Sequence, residues 1–190
     1  IIASAKTICK RYKGNQAHAE YLEQMAGKFF DLLQKYHGLG ERERLLLRLA
    51  AILHDCGKFI SMSAPGECAY QIIMSTEILG ISHMEREMVA SIVRYNTMEL
   101  PNFSEFDGKL GNDEYLIVMK LAAILRVCNA LDRSHRQKFA DMKLTIKDSN
   151  IVITTAYPDN ITLEKKTLQD KQGFFEEVYG LGFEIKQKKK

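Results

Sequence analysis

The chain has no tryptophan, only three prolines and only four cysteines in 190 residues. The cysteines, Cys9, Cys56, Cys68 and Cys128, are scattered with no Cys-x-x-Cys pair. That excludes a zinc knuckle and a dithiol redox motif, and the four read as reduced thiols. With so little proline, 12 glycines and 46% hydrophobic residues, a collagen-like, disordered or disulfide-scaffold chain is excluded. No uncharged apolar run approaches the roughly 18 residues that a membrane-spanning helix needs. The opening Ile1-Ile2-Ala3 lacks the cationic start of a signal peptide, so the expectation is a cytoplasmic protein with no membrane partner. A strong charge excess is missing too: 27 basic against 24 acidic residues leave +3, too little to point to nucleic acid. The first residue is Ile rather than Met, which reads as a piece of a longer protein or a processed chain.

At roughly 150 residues per domain, the length suggests one domain and a smaller second one. Residues 1–137 read as helical. Leu22, Met25, Ala26, Phe29, Phe30 and Leu33 recur at three- and four-residue steps in one stripe over 18–36. After His37-Gly38-Leu39-Gly40, residues 41–53 become apolar nearly all round from Leu45 onward, as a central helix does. A helix over 67–79 closes on Gly80, and Ser82-His83-Met84-Glu85 has capping-box spacing for the next. The longest loop covers 97–111, and a last apolar helix runs over 113–133. Beyond Lys138 the period changes from 3.6 to 2. Residues 142–147 alternate, Asp148-Ser149-Asn150 is a turn, Ile151 to Thr154 is β-branched, a helix covers 168–178, and Phe183 to Lys186 reads as a strand. The expected architecture is mainly α: a five- or six-helix domain over 1–137, then a small β-β-α-β cap over 138–190.

Chemistry concentrates at helix ends. His54-Asp55 lies where an apolar helix meets a glycine turn, in Leu53-His54-Asp55-Cys56-Gly57-Lys58. Imidazole and carboxylate suit Mg, Mn, Fe or Zn, but two adjacent residues do not complete a coordination sphere. His18, at the start of the first long helix, and Asp132, at the end of the last, would complete an H…HD…D set if the helix ends meet. The plain alternative is that these residues are caps or dipole partners. Lys58 follows His54 by four residues, and Arg133 and Arg136 flank His135 just after Asp132, so the same locus offers phosphate binders. A solvated helix terminus is the competing reading. Arg94 reads as either surface or basic edge, His37 and His83 as surface, and Glu85-Arg86-Glu87 as surface ion pairing.

Four stretches in order, 49–61 around His54-Asp55-Cys56-Gly57-Lys58, then 70–83, then Ile92-Val93-Arg94-Tyr95-Asn96, then 129–137 around Ala130-Leu131-Asp132-Arg133, together resemble the C-terminal part of the exopolyphosphatase and guanosine pentaphosphate phosphohydrolase (Ppx/GppA) family. The resemblance implies an HD-domain-like helical bundle with a small α/β cap. It implies hydrolytic release of terminal phosphate by N-terminal actin-like ATPase-type domains, with polyphosphate or guanosine pentaphosphate as partner and a homodimer as the assembly. It places one divalent metal on His18, His54, Asp55 and Asp132. Members of the family carry a His-rich stretch after the HD turn and a His after Arg-Tyr, where this chain has Gly66-Glu67-Cys68 and Asn96, which argues against a second metal. Three readings follow. The chain is the phosphate-chain-binding part of such an enzyme, using Lys58, Arg94, Arg133, Arg136 and the lysine tail. Alternatively, it is a metal-dependent HD phosphohydrolase itself, or a dimerisation module with a vestigial site.

Overall fold

A computed structural model describes residues 1–106 and 109–188 of the chain. Helix α1 (Ile2–Arg11) buries Ala5, Ile8 and Cys9, one turn of a helical stripe. Helix α2 (Gln16–Leu32) follows the N-cap Asn15 and buries Leu22, Met25, Ala26, Phe29 and Phe30. The single helix expected over 18–36 is interrupted at Leu33 and resumes as the short α3 (Gln34–His37). His37 explains the break and overturns its expected surface position. It is buried, its Nε2 donates to the Phe30 carbonyl at 2.9 Å, and its Nδ1 accepts the Leu39 amide at 2.9 Å. Gly38, at φ +66, then turns the chain out.

Helix α4 (Glu41–Leu53) buries Leu46, Leu47 and every residue from Leu49 to Leu53, and it touches α1 and α2. Helix α5 (Pro65–Ser75) starts with Pro at its first turn. It ends four residues sooner than expected, because Thr76 is extended (φ −113°, ψ 138°) and the segment after it sinks Ile78 into the core. Gly80, at φ +91, serves a turn rather than the end of a helix. Helix α6 (His83–Thr97) begins with the expected capping box. Ser82 Oγ accepts the Glu85 amide at 3.1 Å, and Glu85 Oε2 accepts the Ser82 amide at 2.7 Å. The surface ion pairing expected of residues 85–87 holds only for Glu85, which meets Arg42. Glu87 is buried and accepts the Tyr70 hydroxyl. Helix α7 (Asn112–Leu131) is the apolar centre, packed against α2, α4 and α6.

In the cap, β1 (Lys143–Lys147) runs antiparallel to β2 (Asn150–Thr155), with Asp148 and Ser149 both at positive φ in the connecting turn. Helix α8 (Thr162–Tyr179) then crosses to β3 (Gly182–Gln187), which pairs parallel to β2, so the sheet order is β1-β2-β3. The helix begins six residues before the expected 168, because Ile161, Glu164 and Leu168 face inward. Gly180, at φ +66, ends it. Helix α8 packs along α7, and one hydrophobic cluster extends from Ala5 to Leu181 through the fully buried Phe29, Phe30, Phe139 and Phe175. Each such side chain contributes about 1.5–3 kcal/mol. The fold is mainly α with a small three-stranded β cap. All four cysteines are free thiols, and no helix among the described residues is long and apolar enough to cross a membrane.

Candidate functional site

Three helix ends converge on one polar cluster. Asn15 Oδ1 accepts the His18 amide at 3.1 Å, which caps α2 and sets His18 in its first turn. Helix α4 stops at Leu53, and His54-Asp55 lead into a 3₁₀ turn, Cys56–Phe59. That turn requires Gly57, since a Cβ there would lie 1.9 Å from the Pro65 carbonyl oxygen at the start of α5. Helix α7 ends at Leu131 and presents Asp132.

The structure brings His18, His54, Asp55 and Asp132 together. His18 Nδ1 donates to Asp132 Oδ2 at 2.6 Å, and the two rings of His18 and His54 lie 5.0 Å apart in an edge-on arrangement. His54 Nδ1 donates to the Ala51 carbonyl at 2.7 Å. In both rings Nδ1 is therefore taken up as a hydrogen-bond donor, which leaves Nε2 as the atom without a partner. Both Nε2 atoms are buried without a hydrogen-bond partner, and that of His54 lies 3.2 Å from Asp55 Oδ1. Burial lowers the His54 pKa to about 4 despite the Asp55 charge, so the ring is neutral at pH 7. Burial alone would raise the Asp55 carboxyl, but His54 and Lys58, whose Nζ is 2.7 Å away, outweigh it and hold the acid below its usual range. Two buried imidazole Nε2 atoms without hydrogen-bond partners thus lie in one cluster with a carboxylate. A buried imidazole nitrogen without a hydrogen-bond partner beside a carboxylate is an acceptor pair that a divalent cation satisfies. The donor set fits Mn, Fe or Zn better than Mg, which prefers all-oxygen sites.

Asp132 stands apart in one respect. Its Oδ2 holds His18, and its Oδ1 accepts the Gln137 amide at 2.8 Å. Both oxygens are committed to orienting the cluster.

Beside the cluster lies a recess of about 270 Å³ lined by Lys58, Arg126, Arg133, His135 and Lys171, with Asn96 in its wall. Among the described residues no carboxylate lines it. Arg126 is held rigidly: its Nε donates to the Tyr95 carbonyl at 2.7 Å, and its guanidinium lies 4.4 Å from the centre of the Phe174 ring. The Asn96 amide is buried with neither its N nor its O paired. Of the cations expected from the sequence, Lys58 and Arg133 reach this recess. Arg94 does not line it and is engaged elsewhere, pairing with Glu67 at 2.9 Å and lying over the rings of Tyr70 and Tyr95. Arg136 is exposed and outside the lining. Lys188 is exposed beyond β3, and the expected tail residues Lys189 and Lys190 lie outside the described residues.

Sequence reasoning missed Arg126 and Lys171. Arg126 left a signal, a lone charge inside the apolar run from Leu121 to Ala130. Lys171 left none, because it is one of several exposed lysines on α8 and reaches the recess only through the packing of α8 on α7.

The fold and this cluster define a helical domain in which a histidine–carboxylate centre adjoins a cationic recess. The family model of Ppx/GppA phosphatase, domain III, matches residues 2–172. The chain belongs to that family. The match ends within α8, so β3 lies beyond it. None of the curated proteins matches the chain.

Proposed function

We propose that this chain binds a phosphoanhydride chain, polyphosphate or guanosine pentaphosphate, and assists the release of its terminal phosphate by N-terminal domains of the actin-like ATPase type. The observation that carries this reading is the recess itself, which Lys58, Arg126, Arg133 and Lys171 line and which, among the described residues, has no carboxylate in its lining. A polyanion gains from several such charges at once, and the guanidinium of Arg133 can clamp phosphate oxygens in a bidentate manner. Binding of labelled polyphosphate, measured by fluorescence anisotropy, is expected to weaken steeply as salt rises. Removing both side chains in Arg133→Ala/Lys171→Ala is expected to weaken it about tenfold or more at low salt, a loss of about 1.4 kcal/mol or more. Unchanged affinity in that variant refutes the assignment.

A second reading, a metal-dependent phosphohydrolase of the HD type, is favoured by the buried, unpartnered Nε2 atoms of His18 and His54 in the cluster that holds Asp55. There His18, His54 and Asp55 would hold the ion, Asp132 would orient His18, and Lys58 would add positive charge beside Asp55. A bound divalent ion supplies a Lewis acid for a phosphoryl oxygen and lowers the pKa of a bound water. Phosphate release by the purified chain, with and without Mn, separates the readings. Release that Asp55→Ala abolishes overturns the binding-only account.

A further inference from the structure

We propose that the cation of this cluster is held by His18, Asp55 and His135, with Asp132 as a positioning residue rather than a ligand. The proposal rests on the metal reading above and changes its ligand set. Ligand atoms of His18, Asp55 and His135 all lie within 4.8 Å of one another. The His135 ring stacks on that of His18, with centres 3.8 Å apart and planes at 17°. The backbone supports this placement by an unusual route. His135 has φ +56 and Gln137 φ +51, conformations that side chains other than glycine rarely adopt, so the segment after α7 is folded back over His18 at some cost. The same fold points the Gln137 amide at Asp132 and uses up its second oxygen. The His135 ring nitrogens, by contrast, are engaged only by a long hydrogen bond among the described residues, 3.4 Å between Nδ1 and the Asn15 amide nitrogen, which a cation can displace.

His135 also lines the cationic recess. The ion and the anion site therefore share a wall, and the ligand class that fits both is a divalent cation coordinated by an oxygen of a bound phosphate chain. Cation and polyphosphate should then tighten each other's binding by the same factor.

The test uses the whole chain with MnCl₂ in calorimetry and with Cu(II) in electron paramagnetic resonance, which counts coordinated nitrogens. His135→Ala should remove one nitrogen from the Cu(II) signal, weaken Mn binding and abolish the tightening by short polyphosphate. His135→Gln should do the same. The exposure of residue 135 leaves the melting temperature in place. Asp132→Asn, whose amide oxygen can still accept from His18, should keep the nitrogen count and lose about 10–100-fold in affinity, the range for a partner that orients a ligand. An unchanged nitrogen count and Mn affinity in His135→Ala overturn the proposal while leaving the metal reading intact. Complete loss of binding in Asp132→Asn overturns it as well. A wild-type chain that takes up neither ion overturns both.

Discussion

The segment that carries Asp132, Arg133 and His135 is clamped by a buried carboxylate from the cap, and removing that carboxylate should be costly. Glu164, in the first turn of α8, is fully buried. It accepts the Ser134 hydroxyl and amide, and it meets Lys138 Nζ at 3.1 Å. Lys138 is itself buried, and its ammonium also donates to the Asn160 carbonyl at 2.8 Å. Burial would raise the Glu164 carboxyl, but the bonds from Ser134 and Lys138 keep it below its usual value, so the carboxylate is ionised at pH 7. In Glu164→Ala the Lys138 charge keeps one carbonyl and loses its counter-ion. Breaking a buried pair in this way costs about 3–5 kcal/mol. For a chain of this size that lowers the melting temperature by about 10 °C, at roughly 2–4 °C per kcal/mol. Scanning calorimetry or circular dichroism reads the shift. The double variant Lys138→Met/Glu164→Leu removes both charges and should recover most of the loss, because apolar side chains of similar volume often replace a buried pair without penalty. Two results refute the reasoning. One is a Glu164→Ala loss below about 1 kcal/mol, the net worth of a single ordinary hydrogen bond. The other is a double variant no more stable than the single one. Because Ser134 sits between Arg133 and His135, Glu164→Ala should also weaken polyphosphate binding at temperatures where it remains folded.

Two further outcomes follow from the same physics. Burial holds the His37 pKa below its usual value, and the ring accepts the Leu39 amide, so it is neutral when folded. The unfolded chain then binds the extra proton. Stability contributed here is complete above about pH 6.5 and falls as pH drops below it, by at most about 1.4 kcal/mol per pH unit. The acid side of a urea-denaturation pH series should flatten in His37→Asn, and an unaltered slope counts against the assignment. Gly57→Ala places a Cβ 1.9 Å from the Pro65 carbonyl oxygen, a backbone atom that moves only with α5. A loss of about 1–3 kcal/mol in thermal melts is expected, the usual cost of overpacking, together with weakened Mn uptake as His54 and Asp55 shift. A variant as stable as the parent would show that the turn has room to relax.

Much of the fold was legible because local periodicity reports one-sided burial. The stripe from Leu22 to Leu33, the all-round apolar run after Leu45 and the alternation after Met142 each name an element before any partner is known. The capping box at Ser82 and the glycine after Tyr179 were equally local signals. Errors fell where a distant contact overrode local preference. His37 looked like a loop residue beside glycines, yet two backbone partners draw it inward. Glu87 looked like part of a charged surface run, and Tyr70 of another helix buries it. Arg94 looked like a phosphate binder, and Glu67 and two tyrosine rings occupy it.

The sequence by itself determined the helical class, the period change near Lys138 and the residue types available for chemistry, since those depend on spacing and composition alone. Only the tertiary structure decided which of those residues meet. His18 and Asp132 stand 114 positions apart and bond at 2.6 Å because α2 begins beside the point where α7 ends. Arg126 and Lys171 come from helices whose packing makes the recess. His135, unassigned to the ligand set by its spacing, turns back over His18 through a backbone conformation that no pattern of side chains announces. The reason is physical: periodicity records how a residue faces its own core, whereas a site is assembled from what neighbouring elements leave unsatisfied.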